Sequence, residues 1–127
     1  MATTINATTG AAGGVVITPD ASGIVQVQSN GVNTNAQAWV NFAASNPCTV
    51  YASYNISSVT YVSTGQYTVN FTNAFVDSNY CIVMGLRTAS TSTYYSGQAT
   101  NGSQTTTSSR ITIYGTDASG MYAAYFR

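Results

Sequence analysis

Apolar side chains return at every second position along much of the chain, the period of a half-buried β-strand rather than the three-to-four spacing of a helix. Gln66 to Thr72 carries the signal most clearly, with Tyr67, Val69 and Phe71 on one face. Ala38, Val40 and Phe42 share a face in the same way, and Val50, Ala52 and Tyr54 do so in the next apolar run. Val59 to Val62 predicts a further strand, joined to the Tyr67 strand through Ser63-Thr64-Gly65, a short Gly-containing hairpin loop.

Two later segments depart from simple alternation. Tyr80 to Leu86 is apolar on both faces, which predicts a strand at the centre of a sandwich where neither face meets water, with a short buried helix as the second choice. Arg110 to Tyr114 and Met121 to Phe126 flank Gly115-Thr116-Asp117-Ala118-Ser119-Gly120, so the ending predicts a second hairpin. The same Asp-Ala-Ser-Gly tetrapeptide separates Val15-Val16-Ile17 from Ile24 to Gln28, which is shared turn chemistry rather than a domain repeat.

No stretch of ten or more residues combines helical spacing with a cap at its front. The expected fold is therefore all-β with an extended N-terminal arm: about eight short strands arranged as an antiparallel β-sandwich, or as a compact barrel that periodicity does not distinguish from it. Residues 1–35 are expected to form the arm and a hairpin for attachment, and residues 36–127 the sandwich. One polar stretch, Thr88 to Ser109, crowds Ser, Thr, Gly, Gln and Asn around Tyr94-Tyr95, the composition of an outward, functional loop.

Charge narrows the function classes. The chain has three Arg, three Asp and no Lys, Glu or His, for a formal net charge of zero. Without His or Glu there is no His-dependent triad, no His-ligated zinc and no Glu general acid, and the dispersed Asp20, Asp77 and Asp117 make a poor carboxylate pair. The expectation is no enzyme, no cofactor and no metal site, with each Asp capping a turn. No basic stripe exists to neutralise a phosphate backbone, so nucleic acid is not an expected partner. No apolar run reaches the length of a membrane-spanning helix, and the first residues lack the basic and apolar regions of a signal peptide. A chain this neutral buries its apolar surface against defined neighbours or precipitates, which points to an assembly component.

Read together, AWVNF, ASYNISSV, TGQYTVNFTNAFVDSNYCIVMG and ITIYGTDASGMYAAYF resemble the C-terminal β-sandwich modules of tailed-phage fibre and appendage proteins. Tyr67 to Phe75, followed by Asp77-Ser78-Asn79-Tyr80 and an apolar strand, is similar in turn to H-type lectin-like sandwiches. Gly13 to Gly23 resembles the segment that commonly precedes such modules. The resemblance implies a virion structural protein: a homotrimeric short fibre, head-decoration or neck/tail component, assembled in the host cytoplasm and displayed on the virion surface. It implies contact with other virion proteins through the N-terminal arm. The alternative is a lectin-like module that recognises host cell-surface carbohydrate.

For that alternative, Tyr94 and Tyr95 supply rings that stack on sugars, while Arg87, Gln98 and Asn101 supply hydrogen bonds to hydroxyls. An ordinary solvated loop accounts for the same residues. Trp39, opposite the Val40 and Phe42 face, packs in the core or a subunit interface, or else serves as a sugar-stacking platform. Cys48 and Cys81 are expected as two buried free thiols, with a disulfide as the other possibility. The Asn-X-Ser/Thr triplets at Asn6, Asn55, Asn70 and Asn101 are attributed to chance in an Asn- and Thr-rich chain.

Overall fold

The computed structural model describes residues 28–29, 32–87, 97–99, 103–113 and 119–127. Within these the protein is all-β, with no helix. A two-stranded ribbon, β1 (Gln28–Ser29) and β2 (Val32–Asn33), precedes eight strands: β3 (Ala38–Ala43), β4 (Thr49–Tyr54), β5 (Ile56–Ser63), β6 (Gln66–Phe71), β7 (Cys81–Arg87), β8 (Gly97–Ala99), β9 (Ser108–Ile113) and β10 (Gly120–Phe126). These eight build two four-stranded antiparallel sheets, in the orders β4-β3-β10-β7 and β5-β6-β9-β8. The N-terminal arm and the first Asp-Ala-Ser-Gly turn lie outside the described residues.

Period-two patterning fills the space between the sheets. Ala38, Val40, Phe42, Met121, Ala123 and Tyr125 come from one sheet, Tyr67, Val69, Phe71, Ile111 and Ile113 from the other, and all are buried. Phe71 anchors an aromatic cluster, with ring centroids 4.7 Å from Phe75, 5.7 Å from Tyr80 and 5.0 Å from Tyr125. Edge-to-face and tilted contacts of this kind add to the burial of each ring. The Tyr80 hydroxyl donates to the carbonyls of Thr105 and Ser108. The Tyr125 hydroxyl and Ser109 Oγ are buried beside one another, and burial pushes the Tyr125 phenol far above its usual range, with the Ser109 hydroxyl pulling the other way.

Local chemistry explains the corners. Gly65 closes the β5–β6 hairpin at φ +72°, and a Cβ there would lie 2.6 Å from the carbonyl oxygen of Ile113. Between β4 and β5 the chain leaves one sheet for the other at Asn55, which has φ 55°. Its side chain secures that corner: Nδ2 donates to the carbonyls of Gln37 and Asn73, and Oδ1 accepts from the Asn73 amide. Asp77 Oδ1 accepts from the amide of Asn79 and so caps its turn. The Arg127 guanidinium hydrogen-bonded to Asp77 holds its carboxyl below the usual carboxylate range.

Five sequence expectations change. The doubly apolar β7 is an edge strand of its sheet, not a central one, and Val83 is 58% exposed. Strands β9 and β10 belong to different sheets, so the ending is a crossover between layers and not a hairpin. A bulge skips Tyr51, setting Ala52 opposite Asn41 but Val50 opposite Phe42, so Val50 does not share a face with Ala52 and Tyr54. Cys81 is exposed and Cys48 half-buried, both as free thiols. Finally, the end of the polar 88–109 stretch is part of the sandwich: Phe71 and Phe75 amides donate to the carbonyls of Thr107 and Thr106, Gln104 Nε2 donates to the Tyr80 carbonyl, and Ser109 is fully buried. The backbone carbonyls of this polar segment and the Gln104 amide satisfy backbone groups of the sandwich, which composition alone does not distinguish from a solvated loop.

Candidate functional site: an aromatic face on one sheet

Antiparallel pairing places directly opposed residues on the same face, so register gives the outward face of the β4-β3-β10-β7 sheet. One row runs Tyr54, Trp39, Ala124, Val83; the next runs Ala52, Asn41, Tyr122, Gly85. Tyr54 and Trp39 lie side by side in the first row, and Tyr122 stands between Asn41 and Gly85 in the second. Trp39, Tyr54 and Tyr122 are 40%, 40% and 39% exposed. Between Trp39, Tyr122 and Val83 lies an open groove of about 490 Å³, floored by Gly85 and Ala124. Its lining is almost wholly apolar; the Asn41 side chain is there, but its Oδ1 is sealed from water and has no hydrogen-bond partner.

Arg87 closes one end of this face. Its side chain crosses the sheet over Gly120, where a Cβ would lie 3.0 Å from the guanidinium, and its charge rests 5.6 Å from the centre of the Tyr51 ring. The bulge that displaces Tyr51 from the ladder makes this cation–aromatic contact possible. Ser119 Oγ donates to the Arg87 carbonyl at 2.6 Å and ties the strand end to the start of β10.

The opposite sheet presents different chemistry. Its outward rows are Ser58, Asn70, Ser108, then Thr60, Thr68, Arg110, then Ser63, Gln66, Thr112. Asn70 Nδ2 donates to Ser58 Oγ and Thr60 Oγ1. The sandwich is thus two-sided, aromatic outside one sheet and hydroxyl- and amide-bearing outside the other.

Of the residues singled out from sequence, Arg87 ends β7 in the aromatic sheet, whereas Gln98 lies in β8 of the polar sheet, at the register position opposite Thr112. Tyr94, Tyr95 and Asn101 lie outside the described residues. Trp39 is on the aromatic face, where alternation placed it. Sequence reasoning missed Tyr54, Tyr122 and Val83 as partners of Trp39, because only the order of strands in the sheet brings them together. The available signal was β7 itself: a strand apolar on both sides announces an outer face that is apolar too. Among the described residues no group of three His, Cys, Asp or Glu side chains is placed to hold a metal ion.

Comparison with protein-family models, with curated proteins and with solved structures gives no match.

Proposed function

We propose that this protein is a non-catalytic assembly protein, a homotrimeric subunit of a tailed-phage surface appendage, whose aromatic β4-β3-β10-β7 face is buried between copies. The observation that carries the reading is the exposed row of Tyr54, Trp39 and Val83, backed by Tyr122, on a chain with only six charged residues. Contiguous exposed aromatic surface marks an association site, and Trp and Tyr are enriched at the centres of such interfaces. With so few charges the subunits would be held by apolar and neutral hydrogen-bonded contacts.

Sugar stacking on Trp39 is the competing use of this face. A saccharide site needs several convergent polar groups to orient hydroxyls, and the groove has almost none that water or a ligand can reach. Burial against another subunit fits its chemistry better. The test is to replace Trp39→Ser and Val83→Ser together and measure oligomeric state by gel filtration and fold by circular dichroism. Folded monomers are expected. A variant that remains the same oligomer as the parent would show that association uses another surface.

A further inference from the structure

We infer that β7 of one copy pairs with β4 of the next, so that the β4-β3-β10-β7 sheet continues from subunit to subunit as one antiparallel ladder. This rests on the trimeric reading above and adds the contact that closes the ring. The observation that carries it is incompletely covered surface on the core side of both rims of the sheet, which burial of the aromatic face does not reach. At one rim Val50 lies opposite Phe42 on the core side; Phe42 is fully buried, yet Val50 is 39% exposed. Ser53, opposite the buried Val40, is exposed as well. At the other rim Ile82, Met84 and Leu86 lie opposite the buried Tyr125, Ala123 and Met121 and are themselves only half-buried. Both edge strands therefore stand partly beyond the opposite sheet, and a strand laid against each would cover its core side.

Polarity and composition select a second copy as that strand. Among the described residues β4 pairs with β3 alone and β7 with β10 alone, so each keeps an open hydrogen-bonding edge. Every pairing in this sheet is antiparallel, and with four strands β4 and β7 run in opposite directions. Rotation about an axis along the strands preserves those directions, so β7 of one copy meets β4 of the next with the alternation intact. Exposed edges are commonly guarded by lysine or proline. β4 has no charge and no proline, with the bulge at Tyr51 as its interruption, and the single charge of β7 is Arg87 at its end. The faces match too: the core side of β7 brings Ile82, Met84 and Leu86 toward Val50, and its outward side brings Val83 toward Tyr54. Pairing of like rims across a two-fold axis would join two copies and leave the other rim of each bare.

The experiment is amide hydrogen exchange by NMR on the full chain, with mass measured on the same sample, and a Ser53→Lys variant. The alternate amides of β4 and β7 that point away from β3 and β10 are expected to exchange about 100-fold or more slowly than the outer-edge amides of β5, the edge strand of the polar sheet. Ser53→Lys puts a guarding charge on the β4 rim and leaves the aromatic face as it is, so it should give folded monomers by gel filtration and circular dichroism. A parent mass of one or two chains overturns the trimeric reading and this inference together. A trimer whose outer-edge amides exchange as fast as those of β5 in either strand, or a Ser53→Lys variant that remains trimeric, overturns this inference alone. Should Ser53→Lys fail to fold, the exchange pattern of the parent decides.

Discussion

Asn55 supports a corner that its neighbours in sequence do not announce. It takes a left-handed backbone conformation and spends both ends of its amide on Gln37 and Asn73. Asn55→Ala removes three hydrogen bonds and places a less tolerant residue at positive φ, so a loss of about 1–3 kcal/mol is expected in chemical denaturation. Asn55→Asp should not recover the loss: it keeps the acceptor for the Asn73 amide but sets a carboxylate oxygen against the Gln37 and Asn73 carbonyls. The same contacts leave the Asn55-Ile-Ser triplet without a spare amide for modification. Two tyrosines offer a sharper contrast. Tyr80→Phe strips a hydroxyl that serves two carbonyls and should cost about 1 kcal/mol, whereas Tyr125→Phe removes a buried hydroxyl that meets only the Ser109 hydroxyl and should cost less. Equal losses in the two variants would show that the Ser109 contact is worth as much as the two carbonyl contacts of Tyr80.

At the level of elements, β6 is the strand whose role the sequence displays outright. Tyr67, Val69 and Phe71 alternate with polar residues, and all three are buried between the sheets. Because Phe71 touches Phe75, Tyr80 and Tyr125, Phe71→Ala should cost about 3–5 kcal/mol, read as a fall in the urea midpoint with little change in slope. An unchanged midpoint would refute its place in the core. Alternation was legible here because one face meets core and the other meets water. It was misleading at β7, where Val83 and Cys81 are apolar yet outward: periodicity reports hydrophobicity and cannot distinguish a core from an exposed apolar face. Likewise the β9 and β10 pairing was illegible, because turn chemistry between two strands does not say whether they share a sheet. The candidate site was legible only in Trp39 and Arg87; Tyr54 and Tyr122 join them through strand order, which no local pattern encodes.

Across the whole molecule, the two outer faces differ in chemistry. The aromatic sheet offers little that water solvates well, and the polar sheet offers neutral donors and acceptors around one guanidinium. A self-associating protein with this distribution turns the first face inward and keeps the second outward. Its contacts should then be insensitive to ionic strength, because screening acts on charges and the aromatic face carries only Arg87, itself paired with a ring. Trp39 should report the same event: its emission is expected to shift to the red on dilution into monomer, as the indole passes from a subunit contact into water. The most direct test is the mass of the purified chain by light scattering at micromolar concentration, in 50 mM and in 1 M NaCl. The account predicts the mass of three chains in both; a monomer in either, or a trimer that dissociates as salt rises, would contradict it.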